Sequence, residues 1–332
     1  MERVKVRMTK YPMKLKAPLK DYLWGGTKLK EEYGKETALD KVAESWELAC
    51  HKDGMSIIVN GSQKGQTLAS FLDAFPESSG ENARKFPYFP LLIKLIDARD
   101  NLSVQVHPDN DYAMRTEGEF GKTEMWYVVE AEEGASLIYG FQQEISREEF
   151  ARRIADNTLL EVCNEVPVKK GDVFFIDAGT LHAIGKGLLI CEIQQNSNTT
   201  YRVYDFGRVG KDGKPRELHV GKAKEVTSLT HPARGTRALC HLPLADAEMN
   251  LLAACEYFTV YQGILSEQEL SLTAGNDSFQ CLTLLSGELT LTAEQAAEEQ
   301  AVALVKGESV FLPAGLGRYQ LKGSGEYILS MV

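Results

Sequence analysis

The sequence predicts a mainly β protein of two barrel- or sandwich-like domains carrying helical insertions. Three observations predict it. Short apolar or alternating runs recur along the chain, namely LIKLIDA, NLSVQVH, EMWYVVEA, ASLIYG, DVFFIDA and LLICEIQQ, separated by Gly, Asp, Asn or Pro. Short strands at that spacing are the pattern of all-β barrels and sandwiches. After a segment at 222–245 that is rich in turn residues, the tail is strand-like again, with EYFTVYQGIL, QELSLTA, FQCLTLLSGELTLTA, ESVFLPA and GEYILSMV. Finally, residues 170–187 and 306–323 align without gaps, sharing Lys-Gly, Phe175 with Phe311, Ala-Gly and a closing Lys-Gly. Two copies of one barrel motif explain that repeat better than chance.

Helical periodicity is confined to insertions. In SREEFARRIADNTLLEV, Ser146 and Glu149 form a capping-box signature, and Phe150, Ile154 and, more loosely, Leu159 follow as an apolar stripe. TLASFLDAF reads as a second short helix. The chain divides at 1–235 and 236–332. The repeat places Arg318 opposite His182, and no histidine follows His241, so the second barrel is expected to lack metal ligands.

The 332 residues suffice for about two domains. An apolar fraction of 43% and a net charge of −10 describe an acidic globular chain, which disfavours nucleic acid as a partner. No apolar run approaches the roughly 18 residues of a membrane span. The basic N-terminal stretch has no apolar core and does not read as a secretory signal. Six cysteines without a C-x-x-C pair suggest reduced thiols and a cytoplasmic setting. Cys163, Cys191 and Cys281 read as small buried side chains.

The chemistry concentrates in LSVQVHPDN, GKTEMWYVV and FFIDAGTLHAIGKG. Side chains two apart on a strand share a face, so Ser103, Gln105 and His107 point one way and Leu102, Val104 and Val106 the other. Glu124 and His182 stand in or beside similar runs. Two imidazoles, one carboxylate and one carboxamide brought into one interior suit a divalent ion, Zn²⁺ by donor type. With no thiolate in the set, an open catalytic site is expected rather than a closed structural one. The turn–strand–turn–His order from Gly171 to His182 resembles the second half of a cupin signature.

With QVHP at 105–108, Lys-x-Glu at 122–124, the His182 strand and the Asn-Ser-Asn…Arg segment at 196–202, the chain resembles the type I mannose-6-phosphate isomerase family. Trp24-Gly25-Gly26, Glu44-Ser45-Trp46-Glu47 and the Lys94 strand are also similar, so the resemblance covers nearly the whole chain. It implies a zinc cupin followed by a metal-free, cupin-like jelly roll. One Zn²⁺ per chain would be held by Gln105, His107, Glu124 and His182. The implied reaction, in carbohydrate metabolism, is the reversible isomerisation of mannose 6-phosphate and fructose 6-phosphate through an enediol. The implied partner is a phosphorylated hexose, and the expected state a monomer or weak homo-oligomer.

Glu192 lies in the apolar run LLICEIQQ, where a carboxylate must be partnered or functional. It is the first choice of proton-transfer base, with a pKa expected to be raised by its apolar flanks. A buried ion pair is the structural alternative. Lys122 shares a face with Glu124 and is the second proton carrier. Arg202 matches the family's active-site arginine, and Lys94, Lys122, Arg202 and Asn198 are the expected substrate contacts. Which cation holds phosphate stays open. The longer family members carry Asp where Asn198 stands and His where Gly121 stands, which keeps a non-catalytic sugar-phosphate-binding cupin in play. Another metal-dependent cupin enzyme, such as an Fe(II) dioxygenase, is the other alternative.

Overall fold

The computed structural model describes residues 10–210, 213–232, 239–244, 247–296 and 300–332. Part of the 222–245 segment and the first nine residues of the basic N-terminal stretch lie outside these residues. The chain forms two compact units, residues 1–18, 46–92 and 238–332 in one and 19–45 and 93–237 in the other. The division into 1–235 and 236–332 follows the chain, whereas the compact units interleave along it. Strand pairing is the cause. Met13–Lys16 pairs antiparallel with Ser309–Leu312 on one side and with Ile57–Ile58 on the other.

The C-terminal unit is built on a nine-stranded sheet. Its centre is three long strands, Thr259–Ala274, Gly317–Met331 and Gln280–Ala293, paired antiparallel in that order. The internal repeat has a conformational basis. Gly171, Gly179 and Gly187 all take positive φ, and so do their counterparts Gly307, Gly315 and Gly323. Only glycine adopts that backbone without strain, which is why the glycines survive in both copies. Arg318, opposite His182 in the repeat, has a side chain 62% exposed and lies 3.8 Å from Glu294.

Most of two further sheets falls in the second unit. One is five-stranded, in the order Cys163–Pro167, Ser136–Phe141, His182–Ile184, Val104–Val106, Tyr201–Tyr204, with every neighbour antiparallel. Strands Val173–Ile176, Glu124–Ala131, Leu188–Gln195 and Leu91–Ala98 lie in a six-stranded sheet, followed by Glu44–Leu48 and Leu19–Lys20. The core between the sheets takes Trp126, Val128, Phe174, Ile176 and Ile190 from one and Leu137, Tyr139 and Ile184 from the other. The reverse face of the five-stranded sheet packs Val104, Val106 and Tyr201 against Phe150, Leu159 and Ala223. That sheet is therefore covered on both faces, and polar side chains on its inner face must find partners there.

The helical insertions follow their capping signals. Ser146 Oγ accepts from Glu149 N (3.0 Å) at the start of the helix Arg147–Ala155, and Thr67 Oγ1 does the same for Ser70 N (3.1 Å) at Leu68–Ala74. Leu159 departs from the expected stripe. Asn157, with φ 58°, ends the helix in the left-handed region, and Leu159 begins a separate 3₁₀ turn. Cys163, Cys191 and Cys281 are buried, as their apolar settings suggested. Among the described residues no helix is long and apolar enough to cross a membrane.

One hydrogen bond ties the two sheets of this unit directly. Tyr139, opposite His182 in its ladder, donates its hydroxyl to the Phe175 carbonyl at 2.7 Å. Tyr139→Phe keeps the ring and leaves that carbonyl short of a donor. Stability is expected to fall by about 1–2 kcal/mol, read as a lower urea midpoint at unchanged slope.

Candidate metal centre and cleft

Pairing register assembles the site. Gln105 faces His182 on one neighbouring strand and Arg202 on the other, so His182, Gln105 and Arg202 form a row across the five-stranded sheet. Cross-strand partners share a face, so all three point toward the opposing sheet. Glu124 opens its strand in that opposing sheet, where it pairs with Gln194 and Ile176.

His107, Glu124 and His182 are buried, and one ligand atom from each lies within 4.8 Å of the others. They are the only such group of His, Cys, Asp or Glu found among the described residues. The His182 Nε2 is 3.5 Å from Glu124 Oε1, and the His107 Nε2 is 3.8 Å from Glu124 Oε2. Both imidazoles are oriented by the main chain. His107 Nδ1 meets the Thr199 carbonyl and His182 Nδ1 meets the Thr180 carbonyl, each at 2.9 Å. A carbonyl only accepts, so Nδ1 carries the proton and Nε2 keeps its lone pair. Burial, then the Lys122 charge, lowers both histidines, His182 to about 3, so both rings stay neutral.

Gln105 lies beside this group. Its amide lies 3.4 Å from His182 Nε2, and Ser103 Oγ donates to its carbonyl at 3.3 Å. A half-turn of the amide brings Oε1 to the same place. Leu102 does not follow the predicted alternation. It precedes the strand, packs in the inter-sheet core and lines the cleft.

Glu124 supplies the test of fit. Its Oε1 is buried with no hydrogen-bond partner. Burial, then the Glu192 charge, pushes its carboxyl up to about 7 despite Lys122. Two neutral imidazole nitrogens, an underpartnered carboxylate and a carboxamide are the donors a divalent cation takes.

A chain of buried charges continues from this centre. Lys122 Nζ bonds Glu124 Oε2, lies 3.1 Å from His107 Nε2 and reaches to 3.8 Å from Glu192 Oε1. Glu192 Oε1 is 3.2 Å from Lys94 Nζ, which in turn lies 3.7 Å from Glu44. Trp126 Nε1 donates to Glu192 Oε2 at 2.9 Å. Burial lowers Lys94, but Glu44 and Glu192 outweigh it and raise the ammonium above its usual value. Lys122 precedes the strand that begins at Glu124, yet its side chain still joins Glu124.

The expected pKa of Glu192 is corrected here. Burial raises it, but Lys122, Lys94 and the Trp126 hydrogen bond overcome burial and bring it down to about 2. The apolar flanks in its own strand do not decide the matter, because its neighbours across the sheet and cleft are cations.

One cleft is lined by Lys94, Gln105, Lys122, Glu192, Asn198 and Arg202 together, so the structure gathers these expected residues. It also adds Tyr22, Glu44, Thr200 and Arg216, which the sequence did not single out as site residues. Parity in the Glu44-Ser45-Trp46 run could have suggested Glu44. Nothing local marks Arg216, which follows a turn at Gly213.

The catalytic-domain profile of phosphomannose isomerase type I matches residues 13–134, and the mannose-6-phosphate isomerase cupin-domain profile matches residues 247–332. The mannose-6-phosphate isomerase of Streptococcus mutans is 39% identical over 322 residues, covering 96% of this chain and 98% of its own length. The mannose-6-phosphate isomerase ManA of Bacillus subtilis is 37% identical, with 97% and 99% covered. The crystal structure of the mannose 6-phosphate isomerase from Bacillus subtilis superposes with a TM-score of 0.88 at 33% identity, over 97% of this chain and 99% of that one. A mutant of phosphomannose isomerase from Salmonella typhimurium shares the fold at 17% identity and a TM-score of 0.78, with 96% and 98% covered.

Gly121, where longer relatives were expected to carry His, has a packing reason. A Cβ there would stand 2.4 Å from the Asp109 carbonyl carbon and 2.5 Å from Asn110 N. The backbone is pinned at that spot, since Gly121 N donates to Asn110 Oδ1 (2.9 Å) and Lys122 N to the Pro108 carbonyl (3.0 Å). Gly121→Ala is expected to cost about 1–3 kcal/mol, seen as a lower thermal midpoint, and Gly121→His more. A Gly121→His protein melting like wild type would show that the backbone there yields.

Proposed function

The chain belongs to the type I phosphomannose isomerase family and is an aldose–ketose isomerase, and we propose that it interconverts mannose 6-phosphate and fructose 6-phosphate through an enediol, using one Zn²⁺. The observation that carries the metal assignment is the buried His107–Glu124–His182 group with both Nε2 atoms turned to one carboxylate. Gln105 is the fourth proposed ligand. Zinc held there would stabilise negative charge developing on a sugar oxygen. By role, residues 1–235 make up the catalytic cupin and residues 236–332 the metal-free one.

The remaining chemistry belongs to side chains. A base must take the C2 proton and return it to C1. Glu192 is the proposed base. It is held ionised by Lys94 and Lys122 and oriented through Oε2 by Trp126, which leaves Oε1 on the lysine side to take the proton. A carboxylate held this far down is always deprotonated but weakly basic, so the proton transfer relies on position more than on driving force. Lys122 is the alternative carrier. Lys94 polarises a sugar oxygen, Asn198 binds hydroxyls, and Arg202 offers a planar fork for sugar oxygen or phosphate.

Two results test this. Chelation is expected to abolish conversion of mannose 6-phosphate to fructose 6-phosphate, and added zinc to restore it. Glu192→Gln, which preserves shape, is expected to keep bound zinc and lose at least about 100-fold in kcat. If it stays within tenfold of wild type, the base is Lys122 or another group.

A further inference from the structure

We infer that Arg216, held by Asp205, is the phosphate anchor of this cleft, with Arg202 beside it. The assignment rests on the isomerase reading above and identifies the cation that reading leaves open.

The cleft is electrically lopsided. At the metal end, Lys94 and Lys122 face three buried carboxylates, Glu44, Glu192 and Glu124. Both ammonium groups are thus already compensated and have little charge to offer a phosphate dianion. Arg202 and Arg216 line the same cleft. Arg202 is lowered first by burial and then by the charge of Arg216, so the two guanidiniums repel each other. The Arg202 Nε is buried with no hydrogen-bond partner. Two like charges held together and a guanidinium N–H left without an acceptor are costly unless an anion joins them.

Asp205 supports this arrangement without cancelling it. Its Oδ2 accepts from Arg216 Nε at 2.7 Å and its Oδ1 from Arg216 Nη2 at 2.5 Å, a two-point grip on one edge of the guanidinium. That leaves the Nη1 edge for a ligand. Arg208 bonds the same Oδ1, so one buried carboxylate serves two guanidiniums, with Arg202 a third cation nearby. The other carboxylates that act here are exposed. Asp100, at 3.8 Å from Arg208, is 60% exposed, and Glu217 is 83% exposed.

Register adds the spacing. Arg202 is directly opposite Gln105, one strand from the proposed metal ligands, whereas Arg216 lies outside the sheet in the segment after Gly213. A sugar whose C1 and C2 lie at the metal end would direct its C6 phosphate away from Lys94 and Lys122, toward the arginines. Asp205 is a positioning residue, acting through Arg216.

The experiment uses zinc-loaded full-length protein as wild type, Arg216→Ala, Arg216→Lys, Asp205→Asn, the double variant of Arg216→Ala with Asp205→Asn, and the exposed control Arg152→Ala. It measures kcat and KM for mannose 6-phosphate, and binding of inorganic phosphate by calorimetry. Arg216→Ala is expected to weaken inorganic phosphate about 10- to 100-fold and to raise KM by more than it lowers kcat. Arg216→Lys, keeping charge but losing the fork, should fall between, and Arg152→Ala should match wild type. Asp205→Asn should weaken phosphate only while Arg216 is present, adding little in the double variant, which a general loss of structure would not produce. A folded Arg216→Ala protein binding phosphate within twofold of wild type overturns the assignment. Because phosphate binding is read without turnover, an inactive wild type whose phosphate binding still depends on Arg216 would sink the isomerase reading alone. Activity without that dependence would sink the anchor alone.

Discussion

Buried charge governs this site. Removing an ion from water costs several kcal/mol unless a partner is fixed beside it, and the six-stranded sheet meets that demand by alternation. Glu44, Lys94 and Glu192 succeed one another on adjacent strands, and Lys122 bridges Glu192 to Glu124. The series contains one more carboxylate than ammonium. The deficit surfaces at Glu124, whose Oε1 has no hydrogen-bond partner and whose carboxyl is driven toward neutrality. The opposing sheet supplies only neutral imidazoles and a carboxamide there. A small cation is therefore what the interior lacks by charge and what the facing donors suit by chemistry.

The same accounting explains why the cleft has two characters. Its metal end is a closed series of compensated ions, stiffened by the Trp126 indole and by carbonyls that fix both histidine tautomers. The guanidiniums of Arg202 and Arg216, which also line it, have too few carboxylates beside them. A substrate with a reacting carbonyl at one terminus and a dianion at the other matches that polarity in one direction only.

Much of this could be read in the sequence, because strand parity is a local property. Gln105 and His107 two apart, and Val104 and Val106 turned to the other face, follow from alternation alone, and both valines sit at the core behind the sheet. Capping chemistry placed the helix after Ser146 for the same reason. Properties set by neighbours distant in sequence were not legible. The apolar flanks of Glu192 suggested a raised pKa, but the charges that decide it come from Lys94 and Lys122, roughly 70 to 100 positions earlier. Arg216 and Asp205 carry no periodic signal, and the Gly121 contact with Asp109 and Asn110 depends on how a turn folds back. The interleaving of the two compact units likewise hangs on the pairing of Met13–Lys16 with strands near the C-terminus.

The division of the proposed ligands between two sheets has a consequence for how the protein persists. Gln105 and His182 are 77 positions apart in the chain and adjacent in one sheet, while Glu124 belongs to the other. An ion shared among them would act as a clasp closing long loops and fastening the two layers together. Its binding free energy would add to the resistance of the fold, and separating the layers would have to break its bond to Glu124. The lifetime of the enzyme would then be set by the same ion supply that sets its rate.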